Sequence, residues 1–182
     1  IGIASLGYAV PGTVIAVGVL IPIAWLDNQI DFLSRTWFDY PTGLLLSGTL
    51  GILVFAYLVR FLSIALNTVD SGLISIKPNL DESARSLGAS PSKVLRRIHL
   101  PILRTSLLTA LLLVFVEVLK ELPTTLILRP FNFNTLAVRT YELASDERLM
   151  DAALPALAIV IIGLLPVLLI TKSILKERLT ND

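Results

Sequence analysis

The apolar residues of this chain occur in long uninterrupted blocks rather than in alternation with polar residues. Residues 1–26, 43–59 and 152–171 contain no charged residue. Because an apolar run of about 20 residues crosses a bilayer as a helix, the pattern predicts an all-α, polytopic bundle of transmembrane helices over the whole chain, 1–182. The candidate spans lie near 8–26, 43–66, 102–128 and 152–171.

The charged residues between the spans predict an orientation. The segments 27–42 and 129–151 are acidic, whereas 67–104 and the tail after residue 171 are basic. Because positively charged loops stay on the cytoplasmic side, we expect the two basic segments to be cytoplasmic and the two acidic segments to be external. The basic residues of the longer segment are Lys77, Arg85, Lys93, Arg96, Arg97 and Arg104.

The composition excludes several kinds of site. Charged residues make up 16% of the chain, the net charge is +1, cysteine is absent and His99 is the one histidine. A thiolate metal site or a disulfide framework therefore cannot form. Neither a metal site nor a nucleic-acid partner is predicted. The sequence lacks the Gly-x-x-x-x-Gly-Lys-[Ser/Thr] phosphate loop, so we expect no nucleotide hydrolysis, no catalytic residue and no bound cofactor.

The cytoplasmic segment 79–101 has the pattern of two short helices. Asn79 can cap the first helix, and Gly88 can end it in the left-handed conformation. Ser90 can cap the second helix, with Pro91 at its first position, and Pro101 marks the entry into the third span. Apolar residues fall on one face of each helix: Leu80, Ala84 and Leu87 on the first, Val94, Leu95 and Ile98 on the second. An amphipathic hairpin that only links two spans would show the same pattern.

The spacing within this segment resembles the EAA loop of ABC importer permeases. That loop reads Glu-Ala-Ala, three residues, Gly, nine residues, Ile, any residue, Leu-Pro. The chain departs from it only where Ser83 replaces the first alanine. The residues at the motif positions are Glu82, Ser83, Ala84, Gly88, Ile98, Leu100 and Pro101.

The resemblance implies that the loop docks on a separate cytoplasmic ATP-binding subunit, which hydrolyses the ATP. In that role Glu82 makes a charge-assisted contact with the partner, while Ala84 and Leu87 fill an apolar groove on it. The alternative for Glu82 is a purely local one, in which it stabilises the dipole of its own helix in the first turn.

Two further stretches resemble ferric-iron importer permeases, namely 7–12 and 120–155. The resemblance implies a multi-pass protein of the bacterial inner membrane, a second permease half, and a periplasmic or extracellular substrate-binding protein. Because such permeases are long and the chain starts without a methionine, we expect a C-terminal fragment of a longer permease. Related permeases for thiamine, polyamines or phosphonates share the loop and remain alternatives for the substrate.

Charges near the end of the third span are candidates for a substrate pathway. Glu117, Lys120 and Glu121 have helical i, i+3, i+4 spacing and are expected to share a face and pair. Charges at such depth are costly and indicate function, and a carboxylate pair suits a hard cation such as Fe(III). The alternative is a self-neutralised cluster at the helix end. Arg60 is expected to extend to the cytoplasmic face, and His99 to be structural.

The external segment 129–151 combines acidic and aromatic residues. It could receive a substrate-loaded binding protein, or its aromatic residues could pack on the helix ends. A different class of function, a secondary transporter or channel with Glu117, Lys120 and Glu121 as an ion relay, also remains open. The spans show no Ser/His or paired-Asp arrangement typical of an intramembrane enzyme.

Overall fold

The computed structural model describes residues 6–181, and this part of the chain is built from helices, without a strand. Four helical runs are long and apolar enough to cross a membrane, which confirms the predicted all-α transmembrane fold class. The helices in chain order are α1 (Leu6–Ala9), α2 (Gly12–Phe38), α3 (Leu50–Ile74), α4 (Pro78–Ser86), α5 (Pro91–Val94), α6 (Leu100–Leu119), α7 (Pro123–Leu128), α8 (Leu136–Ser145) and α9 (Leu149–Asn181).

The first two spans differ from the predicted ranges because of Asp27. This residue was expected to end the first span, yet α2 continues through it to Phe38. The Asp27 carboxylate is fully buried and accepts hydrogen bonds from the backbone N–H groups of residues 45–47. Those bonds satisfy the carboxylate inside the fold, and they hold residues 45–47 outside the helix. As a consequence α3 begins at Leu50 rather than near residue 43.

The third predicted span, 102–128, is divided in the structure. Its helix begins earlier, at Pro91, and passes through a π-helical turn, Leu95–His99, into α6. It ends at Leu119, and α7 starts only at Pro123. Proline is favoured in the first turn of a helix because its missing N–H is not needed there, so Pro123 restarts the helix after the break. The last helix, α9, extends beyond the predicted 152–171 at both ends.

Packing brings the first helices of the chain against the break in the third span. The helix α3 packs along α6, and α7 contacts both α2 and α3. The shared core consists of Ile15, Ala16, Ile52, Leu53, Ala56 and Leu128. Many leucines and isoleucines elsewhere on the long helices are exposed. In a membrane chain such side chains meet lipid tails or neighbouring helices, so their exposure agrees with the fold class.

Candidate functional site

The hairpin 79–101 projects an exposed turn from the end of the bundle. The helix α4 ends with Gly88 at φ +75, a backbone angle that glycine adopts at little cost because it lacks a Cβ. The second helix begins at Pro91 with Ser90 at the N-cap position. The positions of the turn are therefore as the sequence predicted, although the Ser90 side chain makes no capping hydrogen bond. The predicted cap at Asn79 is wrong, because α4 already begins at Pro78 with Lys77 at the N-cap position.

The residues of the EAA-like pattern divide between the surface and the interior of the hairpin. Glu82 and Ser83 are exposed on α4, and Leu100 and Pro101 are exposed on α6. Ile98 is half-buried. Ala84, which was expected to fill a groove on the partner, is only 8% exposed. Since its side chain packs inside this chain, it is not available to an outside groove, and that part of the prediction is corrected.

Leu87 is the residue of the hairpin that is best placed for a partner. It caps the end of α4 next to Gly88, and its side chain is 88% exposed. Because it is so exposed, this leucine contributes almost no hydrophobic burial within its own chain. Burying it against another protein would contribute roughly 1.5–3 kcal/mol.

A contact that the sequence did not predict fixes the angle of the hairpin. Asp81 Oδ1 of α4 lies 2.6 Å from His99 Nε2 of the π-helical turn. His99 therefore has the structural role that was expected of it. The signal in the sequence was the one histidine of the chain, but no local spacing identifies an aspartate eighteen residues earlier as its partner. The contact ties α4 to the start of the third span.

A buried polar cluster lies at the other end of that span. We define the Arg60–Glu121 cluster as Arg60, Glu121 and Thr124, with Tyr57 and Thr125 beside them. Arg60 Nε lies 3.2 Å from Glu121 Oε2, and Glu121 is only 6% exposed. The Nε–H direction does not meet hydrogen-bond geometry, so the contact is an ion pair. Tyr57 shares a hydrogen bond with Thr125.

The cluster joins two helix breaks. Glu121 Oε1 accepts hydrogen bonds from the backbone N–H of Thr124 at 3.1 Å and from its hydroxyl at 2.6 Å, so it caps the start of α7. Arg60 Nη1 donates to the carbonyl oxygen of Val10 at 3.3 Å, between α1 and α2. Gly12 lies so close that a Cβ there would be 2.7 Å from Arg60 Nη1 and 2.7 Å from the Thr124 hydroxyl. A larger residue at this position would therefore displace the side chains of the cluster.

Two sequence predictions are wrong at this cluster. Glu121 does not share the face of Glu117 and Lys120, because the helix ends at Leu119 and the backbone turns Glu121 inward. Arg60 does not extend to the cytoplasmic face, because its side chain is held by Glu121. A buried charge in an apolar span requires a partner, and that signal was present in the sequence at Arg60.

Glu117 and Lys120 form their own ion pair, with Lys120 Nζ 2.8 Å from Glu117 Oε1. The hydrogen bond to the Glu117 carboxylate raises the pKa of Lys120. Both carboxylates of the predicted pathway are thus neutralised by a cation. Within the part of the chain that the structure describes, no group of three or more His, Asp or Glu residues could hold a metal ion. A role of the three residues in a substrate pathway stays a prediction.

The segment 129–151 contains the helix α8 and is held by contacts within the chain. Arg129 Nη2 lies 3.0 Å from Glu142 Oε1, and Val138 of α8 is buried. Phe133 packs against the core of α2 and α3, whereas Phe131 is 94% exposed. One aromatic residue therefore serves packing and another is exposed, and a contact of this segment with a binding protein stays a prediction.

Comparison with known families decides the identity of the chain. The sequence model of the family described as "Binding-protein-dependent transport system inner membrane component" matches residues 2–177. The chain belongs to this family. The match confirms a permease of binding-protein-dependent, ABC-type transport, located in the bacterial inner membrane with several membrane-spanning helices. A permease component of this kind is not itself a catalyst.

Individual relatives of the permease fall into two groups. It is 29% identical to the Fe(3+)-transport system permease protein FbpB 2 of Haemophilus influenzae over 91% of this chain and 29% of the relative. It is 32% identical to the putative 2-aminoethylphosphonate transport system permease protein PhnV of Salmonella typhimurium over 74% of this chain and 50% of the relative. The chain thus spans half or less of the length of these relatives. The ferric relatives confirm the resemblance seen in the sequence.

Proposed function

We propose that this permease is the translocation subunit of an ATP-driven importer for ferric iron. Closure of a separate ATP-binding subunit moves the hairpin 79–101, and the hairpin moves the membrane helices. A substrate-binding protein delivers the iron from outside, a second permease half completes the channel, and the chain itself binds no cofactor.

The observation that carries the proposal is the helical continuity between the hairpin and the third span. From Pro91 to Leu119 the chain is one helical run of 29 residues, about 43 Å long at 1.5 Å per residue. The exposed Leu87 lies just before the first end of this helical run, and the Arg60–Glu121 cluster lies just past its last end. We therefore expect a push on the hairpin to be passed along this helical run to the helix breaks.

The alternative class, a secondary transporter with an acidic ion relay, finds less support. A relay needs carboxylates that gain and lose a proton or a cation in turn. Glu117 is paired with Lys120 and Glu121 with Arg60, so each carboxylate already has a fixed counter-charge. Iron uptake that continues without any ATP-binding partner would favour the relay and contradict our proposal.

Replacing Leu87 by glutamate in the assembled transporter tests the coupling. Loss of a central apolar anchor costs about 2 kcal/mol or more, so we expect the affinity for the ATP-binding subunit to fall about 30-fold and ATP-dependent uptake to fall with it. Co-purification and uptake into proteoliposomes measure both effects.

The matched control for this change is Ile74→Glu. Ile74 is a similarly exposed apolar residue, 79% exposed, at the end of α3 and outside the hairpin. It should leave the subunit bound. Wild-type co-purification of the Leu87→Glu transporter would show that the hairpin tip is not the docking element.

The extent of the ferric match supports iron as the substrate, since that match covers 91% of this chain against 74% for the phosphonate permease. The phosphonate relatives make 2-aminoethylphosphonate the second candidate. Uptake of radioactive iron and of labelled 2-aminoethylphosphonate, compared in proteoliposomes with the binding protein and ATP, separates the two. We expect ATP-dependent accumulation of iron alone, and accumulation of the phosphonate alone would overturn the assignment.

The same assay tests the pathway residues. If Glu117 contacts the cation, Glu117→Gln should lower iron uptake about tenfold through the lost local field, with an unchanged amount of transporter. Asp151→Asn is the control, because Asp151 forms an i, i+3 ion pair of the same kind with Arg148, on a more exposed part of the surface. Equal uptake by the two variants would show that Glu117 does not contact the transported cation.

A further inference from the structure

An apolar groove with two arginines at one end runs along the surface of α6. A cavity of about 530 Å³ is lined by Arg96 and Arg104 together with leucines such as Leu107 and Leu111. A second cavity of about 270 Å³ shares Leu111 with the first and extends to Phe115 of α6 and Pro166 of α9. The two cavities form one continuous groove whose charged end lies next to the hairpin.

The dimensions of the groove match one leaflet of a bilayer. From Arg104 to Phe115 the helix rises about 16 Å at 1.5 Å per residue, and half of the hydrocarbon thickness is about 15 Å. The lining of this stretch is apolar, as an acyl chain requires. A headgroup at Arg104 would thus place its acyl chain alongside Leu107, Leu111 and Phe115.

The two arginines have the chemistry for an anionic headgroup. Neither Arg96 nor Arg104 takes part in an ion pair among the residues that the structure describes. Guanidinium groups bind phosphate with two parallel hydrogen bonds. Basic pockets between transmembrane helices on the cytoplasmic side bind acidic lipid headgroups, and the basic segment 67–104 is the one that the positive-inside rule assigns to that side.

We propose that this groove is a binding site for an acidic phospholipid. The phosphate lies between Arg96 and Arg104, and one acyl chain follows α6 to Phe115 and Pro166. A protein helix, from a partner or from elsewhere in the permease, is the other conceivable occupant, but it would have to supply an acidic residue for each arginine. The lipid supplies the charge and the apolar chain in one molecule. The groove shares Arg96 with the hairpin 79–101, and the inference holds for either substrate.

Lipid binding to the purified transporter tests the proposal. In nanodiscs of phosphatidylcholine with a small fraction of phosphatidylglycerol, native mass spectrometry counts the phosphatidylglycerol molecules retained. Each arginine contributes about fivefold in affinity, so Arg96→Gln/Arg104→Gln should weaken retention about 25-fold. Arg97→Gln is the matched control, because Arg97 is an exposed arginine of the same π-helical turn that does not line the groove. It should retain the lipid within about twofold of the wild type.

Two further variants keep the charge and probe the groove itself. Leu111→Trp fills the apolar part and should also reduce retention. A photo-crosslinking residue at position 108 should label phosphatidylglycerol. Equal loss in Arg97→Gln and in the double variant would show unspecific attraction, and a crosslink to another chain of the transporter in place of lipid would show a protein interface. Either result overturns the proposal.

Discussion

Replacing Glu121 by leucine is expected to lower the free energy of unfolding of the transporter by about 3–5 kcal/mol. The reason is that Arg60 would remain buried in an apolar span without its counter-charge. The same change removes the cap from the first turn of α7, because the backbone N–H and the hydroxyl of Thr124 both donate to Glu121. Unfolding of the purified transporter in mixed micelles, followed by circular dichroism, measures the loss.

The double variant Arg60→Met/Glu121→Leu separates two free energies: the cost of leaving one buried charge unpaired, and the net contribution of the intact ion pair to stability. Apolar residues that replace a whole buried ion pair are often neutral or stabilising, so most of the lost stability should return. The control is Glu117→Leu/Lys120→Met, which removes a pair with an exposed lysine and a partly buried glutamate, and surface pairs are worth about 0–1 kcal/mol. A Glu121→Leu variant as stable as the wild type, or a double variant no better than the single one, would contradict this account of the cluster.

Transport by the double variant decides what the cluster does. If Glu121 serves only to hold α7 and the segment before α2 against α3, the double variant, once refolded, will still import substrate. A double variant that folds and imports nothing assigns Glu121 to the transport route, which is the role predicted from its position after the third span.

Much of the fold follows from the sequence because the bilayer acts on each apolar segment separately. The uncharged blocks at 1–26, 43–59 and 152–171 are long enough to predict membrane helices, although residues 43–49 stay outside α3. The turn at Gly88 and Pro91 was equally predictable, since the left-handed conformation and the first helical position depend on the backbone of those residues alone. The EAA-like spacing then identified the family before any contact was known.

The errors share a physical cause, which is that distant contacts decided where helices end. Asp27 looks like the end of a span, but hydrogen bonds from residues 45–47 satisfy it inside the fold. Glu121 looks like the continuation of a helix face, but the break at 120–122 turns it towards Arg60. In both places the carboxylate was expected to be solvated, and in the structure it is instead bound by a group far away in the sequence. Local periodicity carries no information about such partners.

Replacing Asp27 by alanine is the second change for which we expect a large effect. Its carboxylate accepts backbone hydrogen bonds from Leu45 at 3.2 Å, Leu46 at 3.0 Å and Ser47 at 2.7 Å. Hydrogen bonds to a charged group are worth about 1.5–3 kcal/mol each, so the free energy of unfolding should fall by at least about 3 kcal/mol. Asp27→Asn keeps one acceptor oxygen, so its free energy of unfolding should lie between those of Asp27→Ala and the wild type. Chemical unfolding of the purified transporter in mixed micelles measures the three stabilities.

Asp31→Ala provides the matched control, because Asp31 lies one turn further along α2 and binds the same connecting segment with less burial. It accepts one backbone hydrogen bond, from Gly43 at 2.9 Å, and its ion pair with Arg35 is on the surface, where such pairs are worth about 0–1 kcal/mol. The two variants remove the same chemical group from the same helix, so their difference measures burial and the number of backbone donors. Equal stability of Asp27→Ala and Asp31→Ala would mean that water replaces the carboxylate at residues 45–47. In that case the start of α3 would have to be set by the helix itself rather than by Asp27.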